Sequence, residues 1–189
     1  MRVIAGSARR IQLKTVDGME TRPTTDRIKE TLFNILQMDI QGSVFLDLFA
    51  GSGAIGIEAL SRGAKEAVFV ENSKKACECI RINLEKTRLK DEALVMETDV
   101  IAALHRLNGK DRLFDIIFMD PPYELGIEPQ VLSALADADY VDDYTIIVIE
   151  AKLDKDFDFV GNYGFYVTRE KTYKTNKHVF LKKKKEGMM

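Results

Sequence analysis

Cysteine and histidine are scarce in this 189-residue chain, with two of each. Cys77 and Cys79 are two positions apart in a segment that reads as helix, where they point about 200° from one another. A disulfide framework is therefore excluded. His105 and His178 are far apart in sequence, so no cluster has the spacing of a zinc site and no metal is expected; both read as ordinary surface or packing residues. No apolar run approaches the roughly 20 residues that a membrane helix needs, and the opening Met-Arg-Val-Ile-Ala-Gly has no apolar core for export. A cytoplasmic protein without membrane contact is expected. Internal repeats, low-complexity linkers and a second domain boundary are also missing, and 46% hydrophobic residues are ample for one core.

Net charge is small, -2, but it is unevenly spread. Residues 1–31 carry seven Lys or Arg against four Asp or Glu, and residues 168–189 carry eight against two. The part between them has thirteen against twenty-four. Cationic ends on an acidic body suggest a polyanionic partner, with Arg2, Arg9, Arg10, Lys14, Arg22, Arg27 and the basic C-terminal segment on its phosphates. A solvated tail is the plainer reading of the lysine run at 182–185.

From residue 43 onward, short β-branched runs alternate with helical stretches, the signature of βαβ units and a parallel sheet. Strands are expected at 43–48, 66–70, 93–97, 114–119 and 144–149. Helices are expected at 54–61 and 73–87 and near 100–107 and 129–138. Strands at 165–171 and 178–181 should pair antiparallel at one edge. Before this core, residues 3–5 and 11–13 flank a Gly-Ser turn and predict a small hairpin. Residues 25–38 put Ile28, Leu32, Ile35 and Leu36 on one helical face. The division is thus a single domain: an extension at 1–40, an α/β core at 41–181 and a basic tail at 182–189.

Asp47-Leu48-Phe49-Ala50-Gly51-Ser52-Gly53-Ala54-Ile55-Gly56 falls where a strand turns into a helix. Its glycine spacing matches a dinucleotide fingerprint, with Glu71 at the distance of a ribose acceptor. Asp47 separates the readings. A carboxylate at the end of the first strand repels a pyrophosphate, whereas S-adenosylmethionine offers an ammonium group there. Glu71 ends the second strand, where it could accept from ribose hydroxyls, and Asp99 follows the third, within reach of an adenine amine. Three unrelated helix caps are the alternative.

Asp120-Pro121-Pro122-Tyr123 follows the fourth strand. Consecutive prolines fix φ and lack N–H donors, leaving a rigid array of acceptors. Methyl transfer to a planar amine develops positive charge on nitrogen, which acceptors at Asp120 and the Pro121 carbonyl would orient and stabilise. Tyr123 offers a face on which an extruded base could stack. Because an ionised carboxylate only accepts, Asp120 suits the two adjacent donors of guanine, N1–H and the N2 amine, and opposes adenine N1.

The Asp47 loop with Asp120-Pro121-Pro122-Tyr123 resembles the class I amino-methyltransferases. Arg22-Pro23-Thr24-Thr25-Asp26-Arg27 followed by Glu30-Thr31-Leu32-Phe33-Asn34 narrows the resemblance to the RsmD family, which methylates N2 of one guanine in bacterial 16S ribosomal RNA. The resemblance spans nearly the whole chain. It implies a Rossmann-like α/β fold with a seven-stranded, mostly parallel sheet, order 3-2-1-4-5-7-6, the seventh strand antiparallel, and helices on both faces. It also implies S-adenosylmethionine held by Asp47, Phe49, Ala50, Gly51, Gly53, Glu71 and Asp99, with Thr24 near its methionine end, and a base held by residues 120–123. The implied partner is 16S ribosomal RNA in the small subunit or its assembly intermediate, with no obligate protein partner. Rival readings are an adenine N6-methyltransferase of DNA or RNA, a nicotinamide-dependent oxidoreductase and a noncatalytic RNA-binding protein.

Overall fold

The computed structural model describes residues 1–16 and 26–185. Seven strands form one sheet: β1 (Val44–Leu48), β2 (Glu66–Glu71), β3 (Ala93–Glu97), β4 (Ile116–Met119), β5 (Ile146–Lys152), β6 (Phe165–Thr172) and β7 (Asn176–Lys183). Their order is β3-β2-β1-β4-β5-β7-β6. β1 to β5 run parallel, and β7 is antiparallel to both β5 and β6. This is the expected Rossmann-like class I order.

Alternation along the strands divides the interior in two. Leu46, Leu48, Ile117, Met119, Ile147 and Ile149 meet α5 (Val100–Leu107) and α6 (Glu128–Ala136) on one face. Phe45, Phe69, Phe118, Val148 and Phe180 meet α1 (Asp26–Ile35), α3 (Ala54–Ser61) and α4 (Lys74–Thr87) on the other. α3 is buried over all eight residues. Gly56 is what lets it lie so close, because a Cβ there would sit 2.3 Å from the Phe69 ring.

Several boundaries differ from the sequence expectation for identifiable reasons. β5 begins at Ile146 rather than 144, because the Asp142 carboxylate accepts from the N–H groups of Tyr144 and Thr145. It then runs on to Lys152. The expected helix at 25–38 divides at Leu36 into α1 and the single turn α2 (Gln37–Ile40), while Thr25 lies outside the described residues. The expected hairpin forms around one bridge, Arg2 with Gln12, with Val3 N donating to the Ile11 carbonyl and Leu13 N to the Met1 carbonyl. Its intervening donors turn to α3 instead: Ile4 and Ala5 donate to Glu58, and Ala8 donates to Ser61 Oγ.

The basic tail is also corrected, since β7 extends through Lys183 and takes Lys182 and Lys183 into the sheet. Because β7 runs against β5, these lysines stand at the edge opposite the carboxyl ends of β1 to β5. Lys183 Nζ donates to the Ala136 carbonyl at 2.8 Å, and Lys185 pairs with Asp143 at 3.3 Å. Both cysteines are buried, and their thiols donate to the carbonyls of Glu71 and Lys14. No helix among the described residues is long and apolar enough to cross a membrane.

Candidate active site

The parallel strands deliver their last residues to one edge, where the crevice of an open α/β sheet forms. β1 ends in the glycine loop. Phe49 takes a left-handed φ of 60°, and Gly51 follows with φ 55°. Nothing lies within 4 Å of where a Gly51 Cβ would stand, so the backbone there faces open space that a ligand can approach. Ala50 donates to the Val70 carbonyl and Gly53 to the Ala50 carbonyl, which fixes the turn.

Glu71, buried at the end of β2, organises this loop. Its Oε2 accepts from Gly51 N at 2.9 Å and its Oε1 from Ser73 N at 2.8 Å. A carboxylate has further lone pairs, so these bonds orient it without exhausting it. Asp47 lies beneath the loop, 2% exposed, and accepts from Gly56 N at 2.9 Å. Burial pushes its carboxyl up to about 7; the Gly56 bond opposes that rise and the charge of Glu71 adds to it. Asp99 is exposed and caps α5, accepting from Ala102 N at 2.9 Å. Of the three acids, Asp99 is thus the one in a helix-capping position.

Asn83 on α4 is a residue that sequence reasoning missed. Its Nδ2 donates to the Ser52 carbonyl at 2.9 Å and to the Lys14 carbonyl at 3.0 Å, and its Oδ1 accepts from Lys14 N at 2.7 Å. The glycine loop is thereby tied to the N-terminal extension. An Asn among polar helix positions carries no signal of this, because both partners are more than 30 residues away.

Asp120, Pro121, Pro122 and Tyr123 leave β4 on the neighbouring strand. Pro121 is buried, Pro122 is exposed, and Tyr123 is 37% exposed with Lys152 Nζ 5.3 Å from its ring centre. A cleft of about 240 Å³ opens beside Tyr123, lined also by Ala151, Lys152 and Lys155. Burial holds the Asp120 carboxyl well above the usual carboxylate range, and the charges of Glu150 and then Asp47 raise it further.

The cationic candidates are scattered. Lys14 is exposed beside the loop, and Arg27 is exposed on the first turn of α1. Arg2 pairs with Asp26 at 2.9 Å. Arg9 and Arg10 are exposed near the hairpin tip, which docks on Ser61 at the far end of α3. Arg22 and Thr24 lie outside the described residues. The lysine run at 182–185 stands at the wrong edge to flank the site, contrary to the expectation placed on the basic C-terminal segment. Lys152 and Lys174 are exposed at the right one, as the antiparallel course of β7 dictates. No group of three or more metal-ligating side chains gathers among the described residues.

A family model described as conserved hypothetical protein 95 matches residues 1–182. A putative rRNA methyltransferase, YlbH, of Bacillus subtilis is 40% identical over 178 residues, covering 92% of this chain and 94% of the relative. Ribosomal RNA small subunit methyltransferase D of Escherichia coli is 34% identical over 154 residues, 82% of this chain and 76% of its own length. Among solved structures, the putative methyltransferase yhhF from Escherichia coli superposes with a TM-score of 0.84 at 32% identity, over 97% of this chain and 98% of that one.

Proposed function

Since the chain belongs to the conserved hypothetical protein 95 family, the RsmD family of ribosomal RNA methyltransferases, we propose that this edge methylates the N2 amine of a guanine in 16S ribosomal RNA. One observation carries the reading: an open glycine loop backed by Glu71 stands one strand from Asp120-Pro121-Pro122-Tyr123. A nicotinamide-dependent oxidoreductase would have no use for Asp120-Pro121-Pro122-Tyr123 beside this loop.

The residues fit S-adenosylmethionine. Open space over Gly51 admits a ligand against the backbone, and Glu71 retains lone pairs for ribose hydroxyls. Phe49, Ala50 and Gly53 shape the turn, Asp99 stands after β3, and Thr24 is assigned to the methionine end. Bound there, the cofactor would supply an electrophilic methyl group on sulfur. Asp120 and the Pro121 carbonyl would orient the amine and stabilise the charge that develops on it, and Tyr123 would stack on the base. Lys14, Arg2, Arg9, Arg10, Arg22 and Arg27 would meet phosphates, joined at the site edge by Lys152 and Lys174.

Incubation with unmodified small ribosomal subunits and labelled cofactor, followed by digestion to nucleosides, tests the reading. N2-methylguanosine is expected. N6-methyladenosine, or no transfer to RNA, would overturn it.

Asp47 gives cofactor binding a pH dependence of predictable sign. Its carboxyl titrates near 7 in the free protein, so below that pH it is protonated. A cationic ligand favours the ionised form, and its binding must therefore expel the proton. Affinity is full above about pH 7 and falls by at most about tenfold per unit below it. Calorimetry across that range should record this fall, and Asp47→Asn should flatten it. A flat profile in the unmutated protein would separate Asp47 from the cofactor's charge.

A further inference from the structure

Glu150 is buried beside Asp120, and nothing in the family motifs uses it. Strand alternation puts it there. β5 carries Val148 and Glu150 on the face of Phe118, and the pairing of Met119 with Ile149 brings Asp120 level with Glu150 at the site edge. Asp47 lies on the same face, one strand further along.

The Glu150 carboxylate is rigidly held. Asn176 Nδ2 donates to Oε1 at 2.5 Å, and His178 Nε2 lies 3.1 Å from Oε2. The Tyr173 hydroxyl lies 3.0 Å from His178 Nδ1. With its proton on Nε2, the ring donates to Glu150 and accepts from Tyr173, so both ring nitrogens are satisfied. Such backing fixes the direction of the remaining lone pairs. Asn176 Oδ1 is buried with no hydrogen-bond partner among the described residues, one more acceptor without a donor at this place.

Asp120 after β4, Glu150 on β5 and Asn176 Oδ1 at the start of β7 thus gather acceptors across neighbouring strands. Adjacent strands are about 4.8 Å apart, so a planar edge laid across two strand ends can reach both carboxylates. We propose that Glu150 is a specificity-determining residue that accepts the N1–H of the target guanine, while Asp120 accepts from the exocyclic amine. The inference rests on the guanine-N2 reading above. It divides between two carboxylates the two donors that the sequence assigned to Asp120 alone. Side by side, the buried Glu150 and half-buried Asp120 carboxylates repel, and a ligand edge made of donors relieves that repulsion. An adenine edge, with an acceptor at N1, would not.

The test compares guanine with 2-aminopurine at the methylated position of a reconstituted small subunit. 2-Aminopurine keeps the N2 amine but presents an acceptor at N1. The wild-type protein should favour guanine by about tenfold or more in kcat/KM. Glu150→Gln should narrow or invert this ratio, because its amide can donate to the N1 acceptor. The ratio is independent of how much of a preparation is folded. A wild-type protein that methylates both bases equally would overturn the proposal, as would a Glu150→Gln protein that keeps the wild-type ratio. So would one that binds cofactor normally but acts on neither base. Failure of wild type to methylate guanine N2 at all would instead remove the underlying reading, and this inference with it.

Discussion

Asp120→Asn is expected to lower kcat for guanine methylation by about a hundredfold or more, the scale seen when one preorganised electrostatic group is removed from a transition state. Asparagine keeps a carbonyl for the amine but carries no negative charge to meet the positive charge that develops on nitrogen. Cofactor affinity should stay within about twofold, because the residue is assigned to the base. Single-turnover transfer and cofactor titration on the same preparation separate these effects. Near-normal turnover would mean that Asp120 only holds the turn. The raised proton affinity of Asp120 gives the wild type a related signature. Burial first, then Glu150 and Asp47, favour its protonated form, so a base that needs the ionised form binds better as pH rises.

Glu58→Gln should produce the largest loss of stability, about 3 to 5 kcal/mol in urea unfolding, the usual cost of breaking a buried ion pair from one side. Glu58 and Lys29 are both completely buried, with Nζ 3.1 Å from Oε2. Glu58 also accepts from Ile4 N, Ala5 N and Arg62 Nε at 2.8, 3.0 and 2.8 Å. Burial lowers the proton affinity of Lys29, and the charge of Glu58 opposes that. An amide would turn an NH2 toward existing donors and leave the ammonium without its counter-charge. A change below about 1 kcal/mol would mean that the cluster is hydrated or that Lys29 is neutral.

Legibility followed the range over which information acts. The strand-end positions of the Asp47 loop, Glu71 and residues 120–123 are legible because each is a short pattern and strand ends follow from local periodicity. The sheet order came from the resemblance, since periodicity does not say which strand lies beside which. Glu150 lies one position beyond the expected end of the fifth strand at 149, because apolar patterning does not extend to a buried acid. His178 reads from sequence as ordinary packing. Its meaning depends on Glu150, 28 residues away, across an antiparallel pairing. Lys29 adds to the positive charge of residues 1–31, yet the fold buries it against Glu58. The lysine run was judged by composition, and only the direction of β7 reveals which edge it occupies.

The docking of the N-terminal segment on α3 imposes an order of events during synthesis. Ile4, Ala5 and Ala8 find their hydrogen-bond partners 53 or 54 residues later in the chain. At translation speeds of about 5 to 20 residues per second, they wait roughly three to ten seconds before those partners exist. Val3 and Leu13, both buried in the finished protein, spend that interval without a core to enter. These residues are thus made before the helix on which they settle. Until they do, α3 lacks one of the walls that cover it, and the nascent protein presents an apolar flank on which a chaperone or a second nascent chain can dock.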